Sequence, residues 1–129
     1  NVTVNCPEGL KIEGAPGLLE QLLTNLILNS IIHGFDHGKR SGEISIRAAL
    51  KGKSLLLDYA DTGAGMTQDV LDRLFEPFFT TRRGEGGSGL GMYICYNIVT
   101  ANLGGTLNCQ SNPDEGVRFL IEFPAKFVE

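Results

Sequence analysis

Two asparagines, Asn25 and Asn29, lie four residues apart in a stretch whose other residues are mostly apolar. Apolar residues recur with the period of a helix over residues 18–32, so both amides lie on one face of a predicted helix. An amide is costly to bury without a partner, and each side chain could simply hydrogen-bond a neighbouring backbone group. Alternatively, the amide oxygens face a cleft and bind a hard cation, since Mg²⁺ prefers oxygen ligands and commonly shares phosphate oxygens.

The second group of interest is the segment DTGAGM, residues 61–66, which directly follows a predicted buried strand. Gly63 and Gly65 permit positive φ and a close approach of the backbone to a planar ligand. Asp61, at the end of the strand, can accept a hydrogen bond from an exocyclic amine. An ordinary Asx turn uses the same residue types, so the segment by itself leaves both interpretations open.

The third group is the glycine-rich segment GEGGSGLGM, residues 84–92, which runs into a predicted helix. Gly87, Gly89 and Gly91 alternate there and expose backbone N–H groups where the helix begins. Such a helix start binds anions, which favours a phosphate cradle over a flexible linker. The segment is neither a Walker A loop, since it lacks the Lys-Ser/Thr pair, nor a Rossmann fingerprint, whose glycines follow a strand directly.

The fourth group is FEPFFTTRR, residues 75–83. Clustered aromatic residues are commonly part of a core, but these precede a polar loop with two arginines. Such a loop can act as a lid hinged on the aromatics, with Arg82 or Arg83 reaching phosphate groups. Together the four segments supply amides for a cation, a carboxylate for an amine, backbone N–H groups for phosphates and a cationic lid. That combination suits Mg–ATP.

The elements that position these groups follow from hydrophobic periodicity and turn residues. Strands are predicted at 2–4, 10–13, 44–48, 55–60, 106–109 and 117–123, and helices at 18–32, 68–74 and 89–102. Gly34 is expected to end the first helix and Thr67 to cap the second. This order predicts an α/β (α+β) two-layer sandwich, with a mixed, mostly antiparallel sheet and three main helices on one face. The order of the strands does not follow from the pattern.

Composition narrows the class of protein. The 129 residues suit one domain, residues 1–129. The sequence has 15 acidic and 11 basic residues and shows no basic face of the kind that nucleic-acid binders have. The three cysteines form no CxxC pair, which favours a reducing, cytoplasmic compartment. Glycine is unusually frequent, at 17 residues. Because the chain begins in a strand-like stretch without Met, we expect it to be a fragment of a longer protein.

The four segments, in this order, resemble the boxes of a known family. NLILNSIIHGF resembles the N box, DTGAGM the G1 box, FEPFFTT the F box and GSGLGM the G2 box of the catalytic domain of sensor histidine kinases. These kinases share the Bergerat fold with gyrase B, Hsp90 and MutL. The resemblance extends from about Val2 to Pro124. It implies a Bergerat fold, binding of ATP and Mg²⁺, and transfer of the γ-phosphoryl group to a protein histidine.

The resemblance also implies roles for individual residues. Asn25, Asn29 and His33 would form the catalytic group, and Asn29 would also be the Mg²⁺ ligand. Asp61 would accept a hydrogen bond from the N6 amine of adenine. The remaining ATP-binding positions implied are Gly63, Gly65, Met66, Thr80, Thr81, Arg82, Arg83, Gly87, Ser88, Gly89, Leu90 and Gly91, with residues 80–87 as the ATP lid.

The partners implied are an upstream histidine-bearing dimerisation domain and the receiver domain of a response regulator, with no nucleic acid. His33 and His37 are the only histidines of the chain, and neither lies in a segment of the HExxxP acceptor type. We therefore expect the acceptor histidine to lie outside this chain and the isolated domain to be inactive without it. The parent protein is expected to be a homodimer associated with a membrane, with this domain in the cytoplasm.

The alternative function is ATP hydrolysis of the gyrase B, Hsp90 or MutL type. Members that hydrolyse ATP resemble one another in carrying a Glu four residues before the N-box Asn, or near that position. This Glu acts as general base toward water. Asn25 stands in that position here, and an amide cannot take up a proton at neutral pH. The sequence therefore favours phosphoryl transfer to histidine over hydrolysis.

Overall fold

The structure, a computed structural model, describes residues 2–5, 12–13, 16–35, 41–76, 91–124 and 126–127. The strands in these ranges are β1 (Val2–Asn5), β2 (Ile12–Glu13), β3 (Ile44–Lys51), β4 (Ser54–Asp61), β5 (Thr106–Ser111), β6 (Val117–Pro124) and β7 (Lys126–Phe127). The α-helices are α1 (Pro16–Asn29), α2 (Gln68–Arg73) and α3 (Gly91–Asn97). The predicted start of the third helix at Gly89 lies outside the described residues.

The main sheet has five strands in the order β1-β3-β4-β6-β5. The pairs β3–β4, β4–β6 and β6–β5 are antiparallel, whereas β1 runs parallel to β3. β2 and β7 form a separate antiparallel pair. The register places Asp61 beside Ile44 on one side and Val117 on the other. The predicted α/β sandwich with a mixed, mostly antiparallel sheet is confirmed, and the strand order is new information.

The core forms between one face of the sheet and the helices. The inward side chains of β4 and β6 alternate with outward ones, as expected for strands with one covered face. The buried apolar residues on the sheet side include Leu55, Leu57, Tyr59, Val117, Phe119, Ile121 and Phe123. The helices contribute Leu22, Leu26, Met92, Cys95, Ile98 and Val99. This packing orients α1 so that its C-terminal end meets the end of β4.

Two helices end in wider, π-helical turns. α1 continues into such a turn at Ser30–Gly34, closed by a 2.8 Å hydrogen bond from Phe35 N to the Ser30 carbonyl. α3 continues likewise into Ile98–Asn102. Thr67 caps α2 as predicted, since its side chain accepts a hydrogen bond from Val70 N. Within the ranges that the structure covers, no helix has the length and apolar character needed to cross a membrane.

The outward face of the sheet carries an ion pair between Arg118 of β6 and Asp58 of β4. The guanidinium donates through Nε at 3.0 Å and through Nη2 at 2.6 Å to the two carboxylate oxygens. This hydrogen bonding, with a smaller contribution from the Arg118 charge, holds the pKa of Asp58 below its usual value. A carboxylate whose pKa is lowered by folding stabilises the fold above its unfolded pKa and loses that effect as the pH falls.

We therefore expect Asp58→Asn to lower the free energy of unfolding at pH 7, but by less than about 1 kcal/mol because the pair is partly exposed. The difference from the wild type should shrink below about pH 4 and vanish once Asp58 is protonated in the folded protein. Urea unfolding at pH 7 and at pH 3 measures both values. An equal loss at both pH values would contradict an origin in the ion pair.

Candidate functional site

Asp61 is the buried carboxylate on which the site is built. Only 6% of the residue is exposed, and its two oxygens have different surroundings. Oδ1 accepts hydrogen bonds from Gly63 N at 3.0 Å and from Val117 N at 3.2 Å. Oδ2 accepts one hydrogen bond, from Ser30 Oγ at 2.6 Å. Since each carboxylate oxygen can accept about two hydrogen bonds, Oδ2 retains room for one more donor.

Ser30 and Tyr59 form a buried polar pair behind this carboxylate. They are 1% and 0% exposed, and their oxygens are 2.6 Å apart. Tyr59 Oη also donates to the carbonyl oxygen of Leu26 at 3.0 Å. Burial raises the pKa of Tyr59, so its hydroxyl keeps its proton and remains a donor. A polar chain therefore runs from the backbone of α1 through Tyr59 and Ser30 to Asp61.

Sequence reasoning missed both Ser30 and Tyr59. The signal available was the alternation of β4, which places positions 59 and 61 on the same inward face as Leu55 and Leu57. Two polar side chains at consecutive inward positions of a buried strand require partners from the element that covers them. Ser30, one residue after Asn29, is that partner.

The segment after Asp61 lies directly on the end of the first helix. Ala64 N donates to the Gly34 carbonyl at 2.9 Å. A Cβ added to Gly63 would lie 2.6 Å from that carbonyl oxygen, and one added to Gly34 would lie 3.3 Å from Asp61 Oδ2. The sequence predicts that Gly63 allows the close approach of a ligand. In the structure, the backbone that approaches Gly63 closely is that of Gly34, at the end of the first helix.

The other side of the same segment is held by the turn between β5 and β6. Gly65 has φ +71°, and a Cβ there would overlap the carbonyl oxygen of Asn112. Met66 N donates to Ser111 Oγ at 2.9 Å, and Ser111 Oγ donates to the Gly116 carbonyl at 2.6 Å. This turn was absent from the predicted site, and the signal for it was weak, since Ser, Asn and Gly are ordinary turn residues.

The two asparagines of the N box differ in their partners. Asn25 Oδ1 accepts from Gln21 Nε2 at 3.0 Å, and its Nδ2 lies 3.5 Å from the Gly91 carbonyl at the start of α3. Asn29 is the half-buried last residue of α1, and its amide makes no hydrogen bond to another residue of the described ranges. His33 is half-buried in the π-helical turn.

Much of the predicted phosphate-binding region lies outside the described residues. This applies to Thr80, Thr81, Arg82, Arg83, Gly87, Ser88, Gly89 and Leu90. Gly91 is the first residue of α3, and a Cβ added there would meet nothing within 4 Å. Phe75, at the beginning of the F box, packs on Tyr96 with ring centroids 5.3 Å apart. The phosphate cradle and the lid remain predictions.

Comparison with known proteins identifies the class. The family described as histidine kinase-, DNA gyrase B- and HSP90-like ATPase matches residues 14–126, and the chain belongs to this family. The histidine kinase resemblance is thereby confirmed at the level of the family.

Several sequence relatives are sensor kinases. The signal transduction histidine-protein kinase BaeS of Escherichia coli K12 is 40% identical over 87 residues, which cover 64% of this chain and 18% of BaeS. The sensor histidine kinase ZraS of the same strain is 36% identical over 118 residues, which cover 92% of this chain and 24% of ZraS. The chain thus spans about a fifth to a quarter of the length of these relatives.

Solved structures of histidine kinases have the same fold. The catalytic domain of histidine kinase ThkA superimposes with a TM-score of 0.79 at 27% identity, covering 96% of this chain and 78% of that one. Full-length ShkA in complex with AMPPNP superimposes with a TM-score of 0.78 at 26% identity, covering 99% of this chain and 26% of that one. The predicted fold class is therefore confirmed.

The packing of Gly65 can be tested against Gly52, which also has positive φ but open space around its Cα. Gly52→Ala should cost about 1–2 kcal/mol through left-handed backbone strain alone. Gly65→Ala adds the overlap with Asn112 and should cost about 1–3 kcal/mol more. Urea unfolding of both variants measures the difference, and equal losses would contradict the contact with the hairpin turn.

Proposed function

We propose that this chain is the ATP-binding catalytic domain of a sensor histidine kinase, which binds Mg–ATP and supplies its γ-phosphoryl group to a histidine of a separate domain. The observation that carries the proposal is the buried Asp61 carboxylate. Its Oδ1 is filled by two backbone donors, and its Oδ2 has one acceptor position left beside the Ser30 hydroxyl. Such a group can accept one hydrogen bond from an N–H of a ligand.

The exocyclic amine of adenine is a donor of this kind. A carboxylate only accepts hydrogen bonds, so a purine with a carbonyl at the same position would place two acceptors against each other. Buried polar groups left unpaired in this way discriminate strongly between ligands. We infer that Asp61 binds the adenine amine, with Gly63, Gly65 and Met66 forming part of the surrounding pocket.

The amide oxygen of Asn29 is a suitable ligand for Mg²⁺. Its amide oxygen is a hard, neutral ligand, and Mg²⁺ is usually held by few protein oxygens together with phosphate oxygens and water. When bound, the ion would neutralise charge on the phosphates. Asn29 would hold the ion at the end of α1. This position is close to the adenine-binding carboxylate, because the next residue, Ser30, contacts Asp61. We propose that the backbone of Gly87, Gly89, Leu90 and Gly91 binds the phosphates, and that residues 80–87 form a lid from which Arg82 or Arg83 reaches them.

The surroundings of Asn25 support transfer to histidine. Its amide is engaged with Gln21 and the Gly91 carbonyl, and it has no basic atom that could take a proton from water. The nucleophile is then the imidazole of a histidine on a dimerisation domain. It forms a bond to the γ-phosphorus as the bond to the bridging oxygen of ADP breaks. The phosphoryl group passes on to a response regulator, and the whole protein works as a homodimer at a membrane.

The base-binding role of Asp61 predicts the effect of Asp61→Asn. An asparagine places an NH₂ group where either the backbone N–H groups or the adenine amine require an acceptor, so ATP affinity should fall at least about tenfold. Isothermal titration with a non-hydrolysable ATP analogue and Mg²⁺ measures it.

Asp58→Asn is the matched control for this measurement. It makes the same chemical change three residues earlier on β4, but on the outward face of the sheet. ATP affinity should be unchanged in this variant. Full affinity in folded Asp61→Asn would refute the base-binding role.

The metal role of Asn29 predicts that Asn29→Ala reduces the gain in nucleotide affinity that Mg²⁺ provides. The effect should be about tenfold with Mg²⁺ and small with EDTA, because only the metal-bound complex uses the amide oxygen. Asn108→Ala, an exposed asparagine on β5, is the control. An unchanged dependence on Mg²⁺ in Asn29→Ala would count against the assignment.

A further inference from the structure

The polar chain behind Asp61 has three hydrogen-bond contacts but only two hydroxyl protons to form them. Three contacts join Asp61 Oδ2, Ser30 Oγ, Tyr59 Oη and the Leu26 carbonyl, at 2.6, 2.6 and 3.0 Å. Only the two hydroxyl groups supply protons. A carboxylate accepts, so the proton of Ser30 goes to Asp61. The proton of Tyr59 is then shared between the Leu26 carbonyl and Ser30 Oγ as a three-centre bond.

The Leu26 carbonyl has a special relation to Ser30. A serine in a helix commonly turns its hydroxyl back to the carbonyl four residues earlier, and Leu26 is four residues before Ser30. This carbonyl therefore competes with Asp61 for the single proton of Ser30. In the structure the competing acceptor is occupied by Tyr59, which also offers its proton to Ser30 Oγ.

We propose that Tyr59 is a positioning residue for recognition of the nucleotide base. By occupying the Leu26 carbonyl it commits the Ser30 hydroxyl to Asp61, so that Oδ2 presents one remaining acceptor in a fixed direction. The inference rests on the proposed function, since it assumes that Asp61 receives the base amine. Tyr59 does not touch the ligand and acts only through Ser30.

The packing of Tyr59 suits this role. Its ring is fully buried and lies against Phe119, with ring centroids 6.1 Å apart, so the hydroxyl is held in one place. The strand alternation that makes Tyr59 part of the core also places it two residues before Asp61 on the same face. The aromatic ring supplies the packing, and the hydroxyl alone supplies the positioning. Removing only the hydroxyl therefore separates the two roles.

The experiment uses Tyr59→Phe, Ser30→Ala and the double variant. Each is titrated with ADP and with IDP, whose base carries a carbonyl in place of the amine. Ile121→Val, a conservative core change on β6, is the control for general loss of packing, and thermal unfolding of every variant checks that it is folded.

We expect Tyr59→Phe and Ser30→Ala to weaken ADP binding about five- to tenfold, with a similar loss in the preference for ADP over IDP. The double variant should match Ser30→Ala, because Tyr59 acts only through Ser30. Ile121→Val should lower the unfolding temperature without changing the preference.

Two results would overturn the inference: an unchanged preference in Tyr59→Phe, or losses that multiply in the double variant. Failure of the proposed function is distinguishable. In that case the wild type itself would bind ADP and IDP equally or not at all. A wild type that prefers ADP, together with a Tyr59→Phe variant that keeps the preference, would refute the role of Tyr59 alone.

Discussion

The structure depends on the burial of one carboxylate. Removing an ionised carboxylate from water costs on the order of several kcal/mol unless hydrogen bonds replace its hydration. Asp61 obtains these bonds from three separate parts of the chain: Ser30 at the end of the first helix, Gly63 in the following loop and Val117 at the start of β6. The helix end, the loop and the strand must therefore meet at Asp61, and the glycines around it permit that approach.

This constraint links the fold to the site. The groups that stabilise Asp61 inside the protein are also those that leave one acceptor position on Oδ2 open, so the shape of the site follows from satisfying the carboxylate. The hairpin turn between β5 and β6 contributes in the same way. Ser111 binds both Met66 N and the Gly116 carbonyl, and thereby fixes the loop that follows Asp61.

The loop that follows β4, residues 61–66, was only partly predicted from the sequence. The DTGAGM segment was identified as part of a site, but the close approach at Gly63 and Gly65 is to Gly34 and Asn112 of the same chain. Asn112 could not be predicted because it is distant in sequence and lies in no motif, and although Gly34 belongs to the N box, nothing in the sequence pairs its backbone with Gly63. The alternation of β4 indicates that Tyr59 and Asp61 need polar partners, but only the 2.6 Å contact between Ser30 Oγ and Tyr59 Oη identifies Ser30 as that partner.

By itself the sequence determined most of the elements and the family, whereas β7 and the π-helical turn after α1 were not predicted. Periodicity of 2 and 3.6 places strands and helices because a side chain's direction depends only on local geometry, and the four boxes identify the family because their residue types and order are specific. The tertiary structure alone decided the order of the strands and the hydrogen bonds around Asp61. Both depend on contacts between residues far apart in the chain, and local sequence patterns do not encode which distant groups will satisfy a buried charge.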